Sequence, residues 1–284
     1  MNAPIPIVTL LTDFGSNDEY VGAMKGVMLG ICPNVHLIDI SHQVPPQDIR
    51  QAVRILSNVA PYYPPHAVHL VVVDPGVGSA RQPIAARTAQ GFFVAPDNGV
   101  LTGVLRRAGG YSAVRLENPA YRLSEPSNTF HGRDIFAPAA AYLAAGVSLE
   151  QLGPALAALR EIASPPLVIN GNAVRGEVVA IDHFGNVMTS IRVLRWLDSD
   201  TLTFEADDEH TSVRFSAAAA RVMIGWHTLT GIRQTYSLVG PDETLVLVSS
   251  SGELELAVNQ GNASERLSLS LGDPVTLMLA DAPL

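Results

Sequence analysis

The 284-residue sequence has a single cysteine, Cys32, so it forms no disulfide within the chain and builds no cysteine-based zinc site; that usage suits the cytoplasm. It has no run of lysine or arginine, and 27 acidic residues stand against 18 basic ones. That balance argues against nucleic acid or an anionic membrane as partner and favours small-molecule work. The oiliest stretch, "IFAPAAAYLAAGV", falls short of the ~20 apolar residues that cross a bilayer. No basic segment precedes the short apolar run of "MNAPIPIVTLLTDFG", which therefore does not read as a secretory signal. HExxH, a His/Cys ligand cluster, G-x-S-x-G, GxGxxG and the P-loop are all missing, so metal, serine-hydrolase, dinucleotide and NTPase readings lose their main support.

What is present describes a folded, well-packed chain: 47% of residues are hydrophobic and 16% charged. The length suits one large or two ordinary domains. From residue 6 to about residue 160, short β-branched runs alternate with helical patterns. "PIVTLL", "HLIDI", "AVHLVVV", "GFFVA" and "SAVRL" read as strands. Helices are expected in "NDEYVGAMKGVMLGI", with Asn17 or Asp18 as cap, in "PQDIRQAVRILSNVA", near "GVLTGVLRRAG", and from Asp134 to Ala145. The nearly continuous apolar character of "AVHLVVV" suits a parallel strand covered on both faces. The expectation is an α/β domain over residues 1–165, with a central mostly parallel sheet and flanking helices.

"ASPPLVINGNAVRG" breaks this rhythm with prolines, glycines and asparagines, which places a linker at about 163–172. Beyond it, "GEVVAI", "NVMTSI", "TLTFEA", "SVRFS", "RVMI", "TLVLVS", "LELAV" and "PVTLML" are short β runs between turn residues. They predict an all-β barrel or sandwich over 173–284.

In an open α/β sheet, ligands sit beyond the carboxyl ends of the strands. Asp13 in "LLTDFG", Asp39 in "LIDIS" and Asp74 in "VVVDPG" fall at such ends. Each alone is equally an aspartate that caps a helix or fixes a turn; three together point to a pocket. Asp39 has the weakest claim, since turn chemistry alone explains "DISHQVPP". In "NTFHGRDIFAPAAA", His131 falls at a helix entrance, where backbone N–H groups face a ligand, or is simply a loop histidine. In "AIDHFGNVMTSI", Phe184 is able to stack on a flat base while Asn186 offers a donor and an acceptor; a plain hairpin loop fits the same residues. "VSSSGELELAVNQGNAS" adds hydroxyls at Ser249 to Ser251 and amides at Asn259 and Gln260.

Taken in order, "LLTDFGSNDEYVGAMKG", "DISHQVPPQDI", "VVVDPGVGSARQPIA", "APDNGVLT", "TFHGRDIFAPAAA", "IDHFGNVMTSI" and "SSSGELELAVNQGNA" resemble the SAM hydroxide adenosyltransferases. These are adenosine-forming S-adenosyl-L-methionine (SAM) hydrolases related to the SAM-dependent chlorinases and fluorinase. The resemblance implies that an Asp, Arg and His triad around the nucleophilic water falls here on Asp74, Arg81 and His131. It implies that Asp13 binds the ribose hydroxyls, that Phe184 and Asn186 contact the adenine, and that Asp182 with Ser250 holds the methionine end. Asn259 and Gln260 match positions where family members approach the adenine through backbone. SAM is then the substrate, with adenosine and L-methionine as products and no cofactor or metal. The family assembles as a homotrimer, each site lying between one subunit's N-terminal domain and a neighbour's C-terminal barrel.

The halogenating relatives resemble this chain at Asp13 and Asn186 but carry tyrosine where it has Asp74. The fluorinase adds a loop after the third strand, whereas Arg81 here runs directly through "QPIAARTAQ" into "GFFV". An anionic Asp74 also repels a halide. Water is therefore the expected nucleophile, ahead of chloride, of a low-turnover SAM- or adenosine-binding module and of a purely structural trimer.

Overall fold

The computed structural model describes residues 4–205 and 212–280. The chain divides into two compact units, Met1–Ala163 and Ser164–Leu284. Among the described residues, no helix is long and apolar enough to cross a membrane. Residues 1–3 of the N-terminal stretch, and Ala206 at the end of "TLTFEA", lie outside the described residues.

The first unit contains β1 (Ile7–Thr12), α1 (Tyr20–Ile31), β2 (His36–Ser41), α2 (Ile49–Val59), β3 (Val68–Val72), β4 (Pro83–Thr88), β5 (Gly91–Pro96), α3 (Thr102–Ala108), β6 (Ser112–Arg115), α4 (Ala137–Ala144) and β7 (Ala155–Leu156). Its seven strands form one sheet in the order β2-β1-β3-β5-β4-β6-β7. The run β2-β1-β3-β5 is parallel, and the run β5-β4-β6-β7 is antiparallel. The sheet is thus mixed rather than mostly parallel. The cause is β4, which "QPIAARTAQ" did not announce. It closes a hairpin with β5 through Ala89 and Gln90, and a tight hairpin joins only antiparallel strands.

Successive residues of β3 serve opposite faces. Leu70 and Val72 pack with Met24 and Met28 of α1 and Ala140 of α4, while Val71 and Val73 pack with Leu56 of α2 and Val104 of α3. Burial on both faces explains the unbroken apolar run.

Two helix expectations need correction. Neither Asn17 nor Asp18 caps α1: its N-cap is Glu19, without a side-chain cap bond. The helix begins where Tyr20 packs against the Phe14 and Phe130 rings, so tertiary contact sets its start. The helix expected from Asp134 to Ala145 is a π-helical turn, Gly132–Phe136, followed by α4. Pro138 has no N–H to give the Asp134 carbonyl, which accepts instead from Leu123 N–H at 2.9 Å.

The second unit holds β8 (Val168–Asn170), β9 (Ala173–Ile181), β10 (Val187–Thr189), β11 (Leu194–Trp196), β12 (Thr201–Glu205), β13 (Ser212–Ser216), β14 (Arg221–Ile224), β15 (His227–Thr230), β16 (Ile232–Arg233), β17 (Thr244–Val248), β18 (Leu254–Val258), α5 (Ala263–Leu267) and β19 (Pro274–Met278). Strands β15-β14-β19-β9-β10-β18-β17-β16 form a nearly closed, barrel-like sheet with β8 on β9, and β11-β12-β13 form a smaller sheet. Both surround one apolar core that includes Phe204, Phe215, Leu254, Leu256 and Leu277. The four strands that were not expected, β8, β11, β15 and β16, are two to four residues long, too short for a period to show.

Candidate active site

Asp74 lies two residues beyond β3, and Arg81 two residues before β4. The loop between them turns back on itself. Gly78 has φ +75°, and a Cβ there would sit 2.9 Å from the Asn128 carbonyl oxygen; a Cβ on Gly76 would crowd Arg81 Cγ at 3.2 Å. The two glycines therefore let Arg81 return to Asp74. Arg81 Nε donates to both Asp74 oxygens at 3.0 Å, and Nη2 donates to Oδ2 as well. Both side chains are more than nine-tenths buried, and the guanidinium also lies over the Phe136 ring, 5.2 Å from its centroid. A forked, buried pair of this kind fixes a charge in direction as well as position.

The same guanidinium reaches His131, with Nη2 to Nδ1 at 2.8 Å. Arginine only donates, so Nδ1 accepts and the ring proton resides on Nε2. Burial, then the Arg81 charge, hold the His131 pKa below the ordinary imidazole value, outweighing the opposing pull of Asp74 and Asp134. His131 immediately precedes the π-helical turn. The Arg133 and Asp134 N–H groups, expected to face a ligand, are instead spent on the Phe130 carbonyl at 3.2 and 3.1 Å. Asp134, fully buried, accepts from Arg133 Nε at 2.6 Å and from Ser127 N–H at 2.7 Å, tying the loop before His131 to the turn after it.

Asp13 follows β1 and accepts the Gln47 N–H at 2.8 Å. Its loop is held on one side by His42, whose Nδ1 bonds Thr12 Oγ1 at 2.8 Å and whose carbonyl accepts the Gly15 N–H at 2.8 Å. Asp39 pairs with Lys25 at 2.6 Å and lies 3.0 Å from His42 Nε2. Burial works to raise its pKa, but the bonds from Lys25 and His42 outweigh this and hold it low. Rings join the Asp13 and His131 loops: Phe14 and Phe130 stand 6.2 Å apart, edge to face.

In the second unit, Asp182 organises its own loop. Oδ1 accepts the N–H groups of Phe184 and Asn186, each at 2.9 Å, and Oδ2 accepts Asn186 Nδ2 at 3.0 Å. Asn186 is buried beside it, whereas the Phe184 ring is 71% exposed. Ser250 sits exposed in the turn after β17, where Ser249 and Ser251 bond each other at 3.1 Å. Asn259 is engaged within the unit, its Nδ2 donating to the Val239 carbonyl at 2.8 Å, and Gln260 adopts φ +60°. Tyr236, which carries no sequence signal, donates its hydroxyl to buried Glu255 at 2.7 Å. Burial, then Glu255, then the charge of Asp182 raise its pKa.

Two family models match the chain, that of the SAM hydroxide adenosyltransferase N-terminal domain over residues 8–153 and that of the C-terminal domain over 176–276. The chain belongs to the SAM hydroxide adenosyltransferase family. A (R)-S-adenosyl-L-methionine hydrolase from Salinispora tropica is 39% identical over 95% of this chain and 97% of the relative. One from Thermus thermophilus is 36% identical over 95% and 99%. A fluorinase from Actinoplanes is more distant, at 28% over 97% and 98%. The solved structure of an uncharacterised conserved protein from Thermotoga maritima matches with a TM-score of 0.83 and 36% identity, covering 95% of this chain and 99% of its own. In this member of the family, the buried Asp74 and Arg81 side chains and the half-buried His131 form one connected cluster.

Proposed function

We propose that this protein hydrolyses S-adenosyl-L-methionine to adenosine and L-methionine. One observation carries the reading: a buried Asp74–Arg81 pair hydrogen-bonded to a half-buried His131 in a member of this family. The sulfonium leaves as a neutral thioether, so the leaving group needs no acid. The difficulty lies in the nucleophile, because hydroxide is scarce at neutral pH. As water oxygen bonds C5′, the C5′–S bond breaks with its electron pair passing to sulfur, and the water gives up a proton. Arg81 stabilises the negative charge developing on oxygen. His131, with Nδ1 filled by Arg81 and its proton on Nε2, is a donor toward the water rather than its base. Asp74 retains unfilled lone pairs, and we assign it the proton.

The same reading gives Asp13 the ribose hydroxyls, Phe184 and Asn186 the adenine, and Asp182 with Ser250 the methionine end. In this reading Asn259 and Gln260 approach the adenine through backbone. The exposed Phe184 ring supports this, since a solvated aromatic face is free to stack. SAM is substrate and the reaction uses no cofactor. We further propose a cytoplasmic homotrimer in which neighbouring subunits share each site; light scattering of the purified protein tests the assembly.

The deciding experiment is chromatography of purified protein incubated with SAM, without chloride and again with it. Equal adenosine and methionine under both conditions is expected. A chlorinated nucleoside appearing with salt would transfer the protein to the halogenases, and intact SAM would leave only a binding role.

A further inference from the structure

Asp74 and Arg81 occupy the loose ends of two different strands, and something must hold those ends in register. Strand β5 lies between them, parallel to β3 and antiparallel to β4. Its β3 ladder runs only as far as Leu70↔Val94, three residues short of Val73. Where β5 ends, the chain enters the turn Asp97–Gly99 of "APDNGVLT". The Asn98 side chain takes over from the ladder: Nδ2 donates to the Val73 carbonyl at 2.8 Å, one residue before Asp74. Asn98 Oδ1 accepts the Val100 N–H at 3.1 Å, which fixes the amide orientation so that only the NH2 group faces Val73. On the opposite side, the Asp97 N–H donates to the Gln82 carbonyl at 2.8 Å, one residue after Arg81. The turn is itself anchored, because Asp97 Oδ1 accepts the Arg160 N–H at 2.7 Å and Thr102 Oγ1 donates to the Gly99 carbonyl at 2.6 Å.

We propose that Asn98 is a positioning residue for the hydrolytic cluster, clamping the end of β3 so that the Asp74 carboxylate meets Arg81 in the fork required for activating water. The proposal rests on the reading that Asp74 and Arg81 act on the water. Asn98 reaches neither reacting atoms nor either side chain; it acts through the Val73 carbonyl. A displacement of the carboxylate by a fraction of an ångström degrades a near-attack arrangement without affecting how SAM is held. Loss of the Asn98 donor therefore lowers kcat and leaves KM in place.

The test is Asn98→Asp, which exchanges the donor for an oxygen facing the Val73 carbonyl while keeping the acceptor for Val100. At pH 8 its kcat is expected to fall about 10- to 100-fold with KM for SAM within about threefold of wild type. As pH drops toward 5, a protonated carboxyl regains an O–H donor for Val73, so the ratio of variant to wild-type kcat rises. A purely structural role does not produce that recovery. Asn98→Ala, which removes the donor without adding a charge, is expected to show the same kcat loss at every pH, and it carries the test if the aspartate variant does not fold. Wild-type kcat in either variant at pH 8, a loss confined to KM, or a pH-independent ratio for Asn98→Asp would overturn the proposal. Wild type and Asp74→Asn run alongside separate the two levels. If wild type releases no adenosine, or Asp74→Asn matches it, the reading of the cluster falls and takes this proposal with it. If those controls behave and the Asn98 variants match wild type, only the clamp is refuted.

Discussion

Arg81 holds His131 Nδ1 at 2.8 Å with the same guanidinium that forks onto Asp74. One cation thus decides where the imidazole proton resides and how the carboxylate is oriented. The assigned roles differ between the two partners, and they can be separated.

Asp74→Asn keeps the shape of the side chain but removes the proton acceptor, and turnover should fall about 100-fold or more with little change in SAM affinity. His131→Gln retains an oxygen for Arg81 and an N–H for the water, so it should keep more activity than His131→Ala. Steady-state kinetics with isothermal titration of SAM checks both. If the glutamine and alanine variants were equally inactive, donation by His131 would not be its contribution.

Arg81→Lys should fare poorly despite conserving charge, because an ammonium cannot bridge two carboxylate oxygens and a ring nitrogen in one plane. Arg81→Ala goes further and strands a buried carboxylate. Removing one partner of a buried pair costs about 3 kcal/mol or more, so the melting temperature should drop along with turnover. Differential scanning calorimetry at pH 7 reads that loss.

His69 predicts a dependence of stability on pH that is independent of catalysis. It lies on β3, fully buried, bonded to Thr9 Oγ1 of β1 at 2.8 Å, and desolvation lowers its pKa from 6.5 to about 4. As pH falls below 6.5, the unfolded chain takes up this proton before the folded one does. Stability contributed by the neutral ring is therefore complete above pH 6.5 and is lost as pH falls toward 4, on the order of 3 kcal/mol across that window. Urea unfolding of His69→Gln should show a flatter decline between those values than wild type.

Gly185 predicts a close-contact effect in the second unit. With φ +83°, and with a Cβ that would lie 2.1 Å from Asn262 Oδ1, it accepts no larger residue without movement of the α5 cap. Gly185→Ala should destabilise by about 2 kcal/mol. Asn262→Ala in that background should recover part of the loss, since it removes the clashing group, and a double-mutant cycle on melting temperature tests the coupling.

Phe184→Ala removes a solvated ring, so it should change stability by no more than about 0.5 kcal/mol. Its effect should appear in SAM binding, several-fold weaker by titration.

Much of this molecule could be read directly from local pattern. The unbroken apolar run before Asp74 announces a strand buried on both faces. Short β runs between turn residues located eight of the second unit's strands. Such features are local, because burial and backbone freedom act on neighbouring residues. Short strands such as β11 and β16, two or three residues long, offer too few residues for a pattern to show.

By itself, then, the sequence determined the strand ends on which Asp13 and Asp74 stand and the ordered motifs that mark the family. Tertiary structure alone decided that the first sheet is mixed, because β4 folds back on β5 instead of crossing the sheet. It also decided the tautomer of His131 and the hold of Asn98 on Val73. In each case the reason is the same: a hydrogen bond's donor and acceptor are chosen by distance and direction in space, and residues 25 or 50 positions apart acquire those only when the chain has folded.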